Sequence, residues 1–148
     1  MPLDGTHEPG TWDVSNKQVD RIESSGGTEG LLAAERPVVV VWTRGRHTGS
    51  IRKTPVMKVQ DGDIYAAVGS KGGSPAHPEW YLNLLADPRV TLQDGPAVGD
   101  YTARTATGDE RARWWALAVE AYPPYAEYQT RTDREIPVVL LEPAPGVS

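Results

Sequence analysis

The chain has 148 residues and a formal net charge of −5, with 20 Asp and Glu against 15 Lys and Arg. This length predicts one domain that is long enough to bury a real core. The acidic balance argues against nucleic acid as a partner, because proteins that bind nucleic acid usually present a broad basic face.

The residue types that are absent narrow the chemistry further. The chain has no Cys, which excludes disulfides, thiol nucleophiles and Cys-ligated zinc. Its three His form no pair at a ligand spacing such as H-x-x-x-H, so no metal site is expected. No apolar run approaches the roughly 18 residues of a membrane span, and no signal-peptide pattern is present. We therefore expect a cytoplasmic protein without stable membrane insertion.

The N-terminal segment predicts a tail and one helix. Residues 1–11 are rich in Gly, Pro and charge, which predicts poor order. Between residues 12 and 22, Val19 and Ile22 share one helical face and Val14 lies close to it, which predicts a short amphipathic helix. Its charges do not form the basic face that interfacial helices favour. We therefore expect this helix to pack on its own domain, with membrane contact as the alternative.

The first strands follow from β-branched residues and turn signals. Residues 38–43 predict a strand, and residues 45–50 predict a turn. Residues 52–59 predict a second strand, in which Pro55 marks an edge or a bulge because proline cannot donate to a ladder. The turn at residues 60–63 and the strand at residues 64–68 then complete an antiparallel hairpin.

The second half of the chain alternates helices and strands. Pro78 suits the first turn of a helix that runs to about residue 86. Residues 90–93, 98–106 and 136–141 predict strands. Thr107 and Glu110 have the spacing of a capping box before a further helix that ends ahead of Pro123. About six strands and three helices predict an α+β fold that is mainly antiparallel, either a small barrel or a strongly curved sheet with helices outside.

A cationic block lies near the first strand. Six Lys or Arg and no Asp or Glu occur between residues 36 and 58. Arg and Lys supply charge, Thr supplies short donors and Gly lets the backbone approach a ligand, which is the chemistry of a phosphate cradle. The spacing is not that of a Walker loop. From the composition alone, both an anion site and a solvated basic hairpin remain open.

Two further stretches carry groups that suit a pocket. Ser70 and Lys71 precede two glycines directly after a strand, which combines a hydroxyl, a cation and permissive backbone; the alternative is a plain turn. Tyr122, Tyr125 and Tyr128 lie three residues apart. Phenols stack on rings and donate to a developing anion, although packing alone is the alternative. A hydrolase triad has little support, because no Ser or Asp partner stands beside a His.

These stretches, in this order and spacing, strongly resemble the actinobacterial deazaflavin (F420)-dependent nitroreductase family, whose members are also described as quinone reductases. The resemblance covers residues 26–143, which we expect to form the split-barrel domain. Residues 1–25 are then an N-terminal tail and helix, and residues 144–148 are a C-terminal tail. It is carried by TRGRHTG (43–49), RKTP (52–55), SKGG (70–73), PEWYLNL (78–84), the Tyr-Pro-x-Tyr-x-x-Tyr stretch and TDREIP (132–137).

The resemblance implies a split β-barrel that binds coenzyme F420, an 8-hydroxy-5-deazaflavin with a phosphate and an oligoglutamate tail. By position, it assigns the phosphate and tail to Arg46, His47, Thr48, Arg52 and Lys53. It assigns the deazaflavin to Thr54, Pro55, Val56, Met57, Val68, Gly69, Ser70, Lys71, Glu79, Trp80, Tyr81, Leu82 and Asn83. It places the catalytic residues on the substrate side, with Tyr125 nearest the cofactor. These residues are Ser70, Tyr122, Tyr125 and Tyr128.

Two positions depart from the family pattern. A lysine is common where His47 stands, which implies a weaker or pH-dependent charge toward the phosphate. Met57 stands where a relative has an aromatic residue, which implies a pocket of another shape.

The activity that the resemblance implies is hydride transfer from the reduced deazaflavin to an electron-poor acceptor, such as a quinone, a nitroaromatic or an activated enone, in a monomer or homodimer. Two alternatives remain: an enzyme of the same fold that uses flavin mononucleotide, and a deazaflavin carrier without turnover. The tyrosines favour an enzyme, because a carrier needs no shaped acceptor site.

Overall fold

The computed structural model describes residues 3, 5–7, 13–33 and 36–144. Within these ranges the chain forms eight strands, four α-helices and one 3-10 turn at Lys71–Gly73. No helix in these ranges is long and apolar enough to span a membrane. The elements in chain order are α1 (Asp13–Ser24), β1 (Leu32–Ala33), β2 (Arg36–Arg44), β3 (Ile51–Met57), β4 (Val59–Asp61), β5 (Ile64–Val68), α2 (Glu79–Ala86), β6 (Arg89–Asp94), β7 (Ala97–Thr105), α3 (Gly108–Ala121), α4 (Pro124–Thr130) and β8 (Val138–Pro143).

The strands form one curled sheet in which every pair of neighbouring strands is antiparallel. The order is β1-β2-β6-β7-β8-β5-β4, with β3 paired to β2 outside this path. This architecture confirms the predicted α+β fold of the split-barrel type. The two-residue strand β1 was not predicted, because so short a segment carries no periodic pattern.

The predicted strand over residues 52–59 is wrong in one respect, because it breaks at Lys58. The backbone N–H of Lys58 donates to the Pro37 carbonyl at 2.9 Å, and beyond it the chain joins β5 instead of β2. The predicted hairpin therefore consists of β4 and β5 alone. In the described part of the chain β3 belongs to no ladder besides that with β2, which confirms Pro55 as an edge-strand residue.

Strand β8 is buried on both faces and joins two cores. Val139 and Leu141 belong to the barrel core, which α2 closes through Trp80 and Leu84. Val138 and Leu140 belong instead to a second core, where α3 and α4 pack on the sheet through side chains such as Trp114, Ala118 and Tyr125.

Helix α1 packs on the domain, as predicted. Val19 and Ile22 are buried against Val40 of β2. Trp12, the side chain of Val14 and most of the predicted tail at residues 1–11 lie outside the described residues.

The predicted capping box is wrong. Thr107 occupies the N-cap of α3, but its side chain makes no capping hydrogen bond. The Glu110 carboxylate instead accepts two bonds from Arg104 at 2.6 and 2.8 Å, and Arg104 also pairs with Glu142. A bidentate charged pair is stronger than the single backbone bond of a capping box, which explains why Glu110 bonds Arg104 and does not cap α3.

Candidate active site

One cleft of about 690 Å³ brings together most of the predicted site residues. Its size lies within the range of roughly 300–1,000 Å³ that is usual for small-molecule and cofactor sites. Of the predicted residues, those that line it are Arg46, His47, Thr48, Arg52, Lys53, Thr54, Pro55, Val56, Met57, Val68, Ser70, Lys71, Glu79, Trp80, Asn83, Tyr122, Tyr125 and Tyr128.

Helix α2 orients Arg46 at one end of the cleft. The Arg46 guanidinium donates to Asn83 Oδ1 at 2.9 Å and pairs with Glu79 Oε2 at 2.7 Å, and its backbone N–H also donates to Asn83 Oδ1 at 3.2 Å. Asn83 is buried and donates to Thr43 Oγ1 at 3.4 Å. The hydrogen bond from Arg46 lowers the pKa of Glu79, so this carboxylate stays ionised. The Arg46 side chain is therefore fixed before any ligand binds.

Lys53 is held by α1 and by an aromatic ring. Its Nζ lies 2.5 Å from Glu23 Oε1 and 4.1 Å from the centroid of the Trp42 ring. An ion pair and a cation–π contact thus share one ammonium group. Lys53 and Arg46 are accordingly each paired with an acid from a helix, Glu23 from α1 and Glu79 from α2.

The three tyrosines form a cluster at the other end. The Tyr122 and Tyr128 hydroxyls lie 3.2 Å apart, and the Tyr125 ring centroid lies 4.9 Å from that of Tyr122 and 6.3 Å from that of Tyr128. Burial raises the pKa of Tyr125, and the bond to Tyr128 raises the pKa of Tyr122. Tyr122 and Tyr125 therefore keep their protons at neutral pH and can act as donors.

The 70–74 loop, residues Ser70 to Ser74, connects the two ends. Lys71, Gly72 and Gly73 all have positive φ, at 45°, 63° and 82°. A Cβ atom on Gly73 would lie 2.7 Å from the Tyr128 carbonyl oxygen and 2.9 Å from Arg131 Cβ. The loop therefore rests directly on α4, the helix that carries two tyrosines of the cluster.

This contact predicts unequal effects of alanine at two neighbouring glycines. Gly73→Ala should lower the free energy of unfolding by about 2–4 kcal/mol, because it combines left-handed strain with a backbone clash. Gly72→Ala is the matched control: its φ is 63°, but no atom lies within 4 Å of the added Cβ. It should cost only about 1 kcal/mol of strain. Urea denaturation of both variants measures the difference, and equal losses would contradict the packing of the loop on α4.

Three predicted residues lie outside the cleft lining. The Gly69 N–H donates to the Pro137 carbonyl at 2.9 Å. Tyr81 is buried, with its hydroxyl 3.1 Å from Thr105 Oγ1, and Leu82 packs against the barrel core. These three residues make their contacts outside the cleft lining. Their contact with a cofactor stays a prediction.

The cleft also has lining residues that the sequence did not predict. Helix α1 supplies three of them, and its Gln18 side chain donates to the carbonyls of Gly30 and Leu32 at 3.0 and 3.1 Å. The polar face of α1 was visible in the sequence, but nothing there indicated what it would face. The complete set is Ser15, Asn16, Gln18, Ala33, Val38, Gly45, Gly72 and Pro78.

Comparison with known proteins identifies the family. A family model described as F420H(2)-dependent quinone reductase matches residues 14–143. The chain belongs to the F420H(2)-dependent quinone reductase family. It is an F420-dependent reductase with coenzyme F420 as its cofactor, which confirms the function that the resemblance implied.

Relatives of this F420H(2)-dependent family resemble the chain closely. An F420H(2)-dependent quinone reductase of Mycobacterium tuberculosis strain H37Rv is 40% identical over 108 residues, which cover 71% of this chain and 72% of the relative. A solved F420-H2 dependent reductase is 56% identical with a TM-score of 0.69, covering 72% of this chain and 95% of that one. Another solved chain, described as a domain-swapped dimer, is 52% identical with a TM-score of 0.71, covering 86% and 96%.

Proposed function

We propose that the cleft holds reduced coenzyme F420 and that the chain passes a hydride from it to a quinone-type acceptor beside the tyrosine cluster. One observation carries this proposal: a single cleft is lined by the cations at the start of β3 and by apolar Val56 and Met57 at its end, where Met57 packs with the three phenols. The relatives named as F420H(2)-dependent quinone reductases support the acceptor class.

The donor set at the cationic end fits the anionic part of F420. Arg46, Arg52 and Lys53 supply positive charge, and Thr48 supplies a hydroxyl. A phosphate and a carboxylate tail need several charged donors spread along a groove. His47 lines the same cleft.

The middle of the cleft fits a flat ring system. Half-buried side chains of β3, Val56 and Met57 among them, line the cleft together with Val68 and Trp80. An apolar slot with a few polar groups at its rim is the usual environment of such a ring. Neither Val56 nor Met57 titrates, so this wall would be insensitive to pH.

The chemistry divides between the cofactor and the protein. When bound, reduced F420 supplies the hydride from C5 of its deazaflavin. The protein's own groups would act on the acceptor: the Tyr125 and Tyr128 hydroxyls and Ser70 Oγ would donate to the acceptor oxygen as negative charge develops there. Since burial raises the pKa of Tyr125, its proton is held until that charge appears.

A side-by-side binding titration tests the cofactor assignment. We expect oxidised F420 to bind more tightly than flavin mononucleotide, because its charged tail matches a cationic end that spans two segments, Arg46 to Lys53 and Lys71. Affinity should fall as salt rises, since part of the attraction is between exposed charges. Reduced F420 should be oxidised only with an added acceptor, followed by its absorbance, and nicotinamide cofactors alone should give no activity.

The same titration separates the alternatives. Tight binding of flavin mononucleotide with no binding of F420 would favour a flavin enzyme of this fold at this site. F420 binding without turnover of a quinone, a nitroaromatic or an enone would favour a carrier.

We further propose that the chain forms a homodimer, with the domain-swapped dimer at 52% identity as support. The cytoplasmic location and the division of the chain at residues 25 and 143 stay predictions.

A further inference from the structure

We propose that Arg134 and His77 are positioning residues that hold the 70–74 loop in place, and that they do so only while His77 is neutral. Neither residue lines the cleft, and the proposed chemistry uses neither of them directly. The inference rests on the proposed function in one respect, the placement of Ser70 and Lys71 beside the bound cofactor.

Arg134 fastens both ends of the loop with one planar group. Its Nε donates to the Ser74 carbonyl at 2.8 Å, one terminal nitrogen donates to the Gly69 carbonyl at 3.0 Å, and the other donates to the Ser70 carbonyl at 2.8 Å. A guanidinium has five N–H donors in a rigid fork. Three backbone carbonyls around one fork fix the path of the loop more strictly than three separate side chains would.

The backbone of Arg134 is itself anchored to α4. Gln129 Nε2 donates to the Arg134 carbonyl at 2.8 Å, and Gln129 Oε1 accepts the Ile136 N–H at 2.9 Å. Gln129 stands next to Tyr128 on α4, so the segment that carries Arg134 connects the helix of the tyrosine cluster to the loop. A shift of Arg134 would therefore change the relative position of Ser70 and the tyrosines.

His77 completes the arrangement as an acceptor. Its Nδ1 lies 3.0 Å from the same terminal nitrogen of Arg134 that bonds Gly69. Because a guanidinium only donates, Nδ1 must be unprotonated, and the proton of the neutral ring must sit on Nε2. Two titratable groups face the imidazole within the described residues: Arg134 from the segment before β8, and Tyr81 from α2, whose ring centroid lies 5.0 Å away.

Protonation of His77 would break this contact. It would place an N–H against an N–H donor and a second positive charge 3.0 Å from the first. Burial, and then the charge of Arg134, lower the pKa of His77 below its ordinary value of 6.5. The neutral ring thus contributes stability that is fully present above that ordinary value and is lost as the pH falls through the lower folded-state pKa. The loop should therefore loosen on the acid side.

His77→Asn tests the inference, because the Asn amide oxygen can replace Nδ1 as acceptor and does not titrate. The first readout is hydrogen exchange of the 70–74 loop amides in the cofactor-free protein, corrected for intrinsic exchange, between about pH 5 and pH 8. We expect wild-type protection to fall about tenfold toward acid pH and that of His77→Asn to stay flat. The same loss of protection in both proteins would overturn the inference.

The second readout is the affinity for oxidised F420 over the same pH range. Because His47 itself lines the cleft, the pair compared is His47→Asn and His47→Asn/His77→Asn, so that only His77 differs between the two proteins. We expect F420 affinity to fall about tenfold toward acid pH in His47→Asn and to stay constant in His47→Asn/His77→Asn. If the loop readout behaves as expected but no variant, nor the wild type, binds F420 at any pH, the proposed function fails while the positioning role stands.

Arg134→Lys separates positioning from simple stability. A lysine keeps the charge but cannot reach all of the acceptors at once. Assayed well below its unfolding temperature, this variant should show faster exchange in the loop and about a tenfold lower kcat. A lower unfolding temperature with unchanged kcat and unchanged loop exchange would make Arg134 merely structural and would overturn the inference.

Discussion

Replacing Arg52 or Lys53 by Ala should weaken F420 binding by about 10- to 150-fold for each residue, while hydride transfer from the bound cofactor stays nearly unchanged. Each variant loses a charged hydrogen bond, worth roughly 1.5–3 kcal/mol. Fluorescence titration gives the affinity, and single-turnover kinetics with saturating cofactor give the bound-state rate. Unchanged affinity in both variants would remove the phosphate and tail from this end of the cleft.

Glu23→Gln is the matched control for Lys53. The substitution keeps the shape of the side chain and removes the carboxylate that lies 2.5 Å from the ammonium. F420 binding should therefore become a few-fold tighter, most clearly at low salt where charges are least screened. In a Lys53→Ala background, Glu23→Gln should no longer increase the affinity for F420. Persistence of that increase would mean that Glu23 acts on the cofactor without Lys53.

Tyr125→Phe and Tyr128→Phe should each lower kcat by about 10²-fold with at least one acceptor, and cofactor affinity should stay nearly intact. The rings keep their packing and only a hydroxyl is lost, so the effect reports the donor to the developing anion. Tyr125 is only 4% exposed, which leaves its ring little freedom to adopt another position. Steady-state rates with a quinone and with a nitroaromatic measure the effect.

Tyr101→Phe is the control for the tyrosine cluster. Tyr101 lies on β7, packs edge-on against Tyr65 with ring centroids 5.8 Å apart and does not line the cleft. Its substitution should leave kcat unchanged. If Tyr125→Phe and Tyr128→Phe behave like Tyr101→Phe with both acceptors, the cluster serves packing alone.

The sequence predicted the parts of the fold that depend on local pattern. The β-branched run of β2 and the proline just before α2 are local signals, and both elements form where they were expected. The capping box failed because Arg104, on the neighbouring strand, attracts Glu110 away from the helix end. No local pattern reports a competing partner of that kind.

The site was predictable in its chemistry and less so in its walls. The cationic residues and the tyrosines lie in motifs, so their types and spacing pointed to them directly. Ser15 and Asn16 line the cleft only because Val19 and Ile22 seat α1 against β2. The pairing of Lys53 with Glu23 and that of Arg46 with Glu79 likewise join segments that are remote in sequence. Tertiary packing determines which of these residues become neighbours, and no local pattern in a single sequence specifies that packing.

The break at Lys58 also bears on how the protein avoids aggregation. Since β3 belongs to one ladder in the described part of the chain, apart from an isolated bridge between His7 and Ile51, its other edge is a template on which a foreign strand could add. A proline along such an edge discourages that addition, because it offers no N–H to a neighbouring strand, and β3 carries Pro55. Pro55, which also lines the cleft, therefore helps to keep copies of the chain from joining edge to edge.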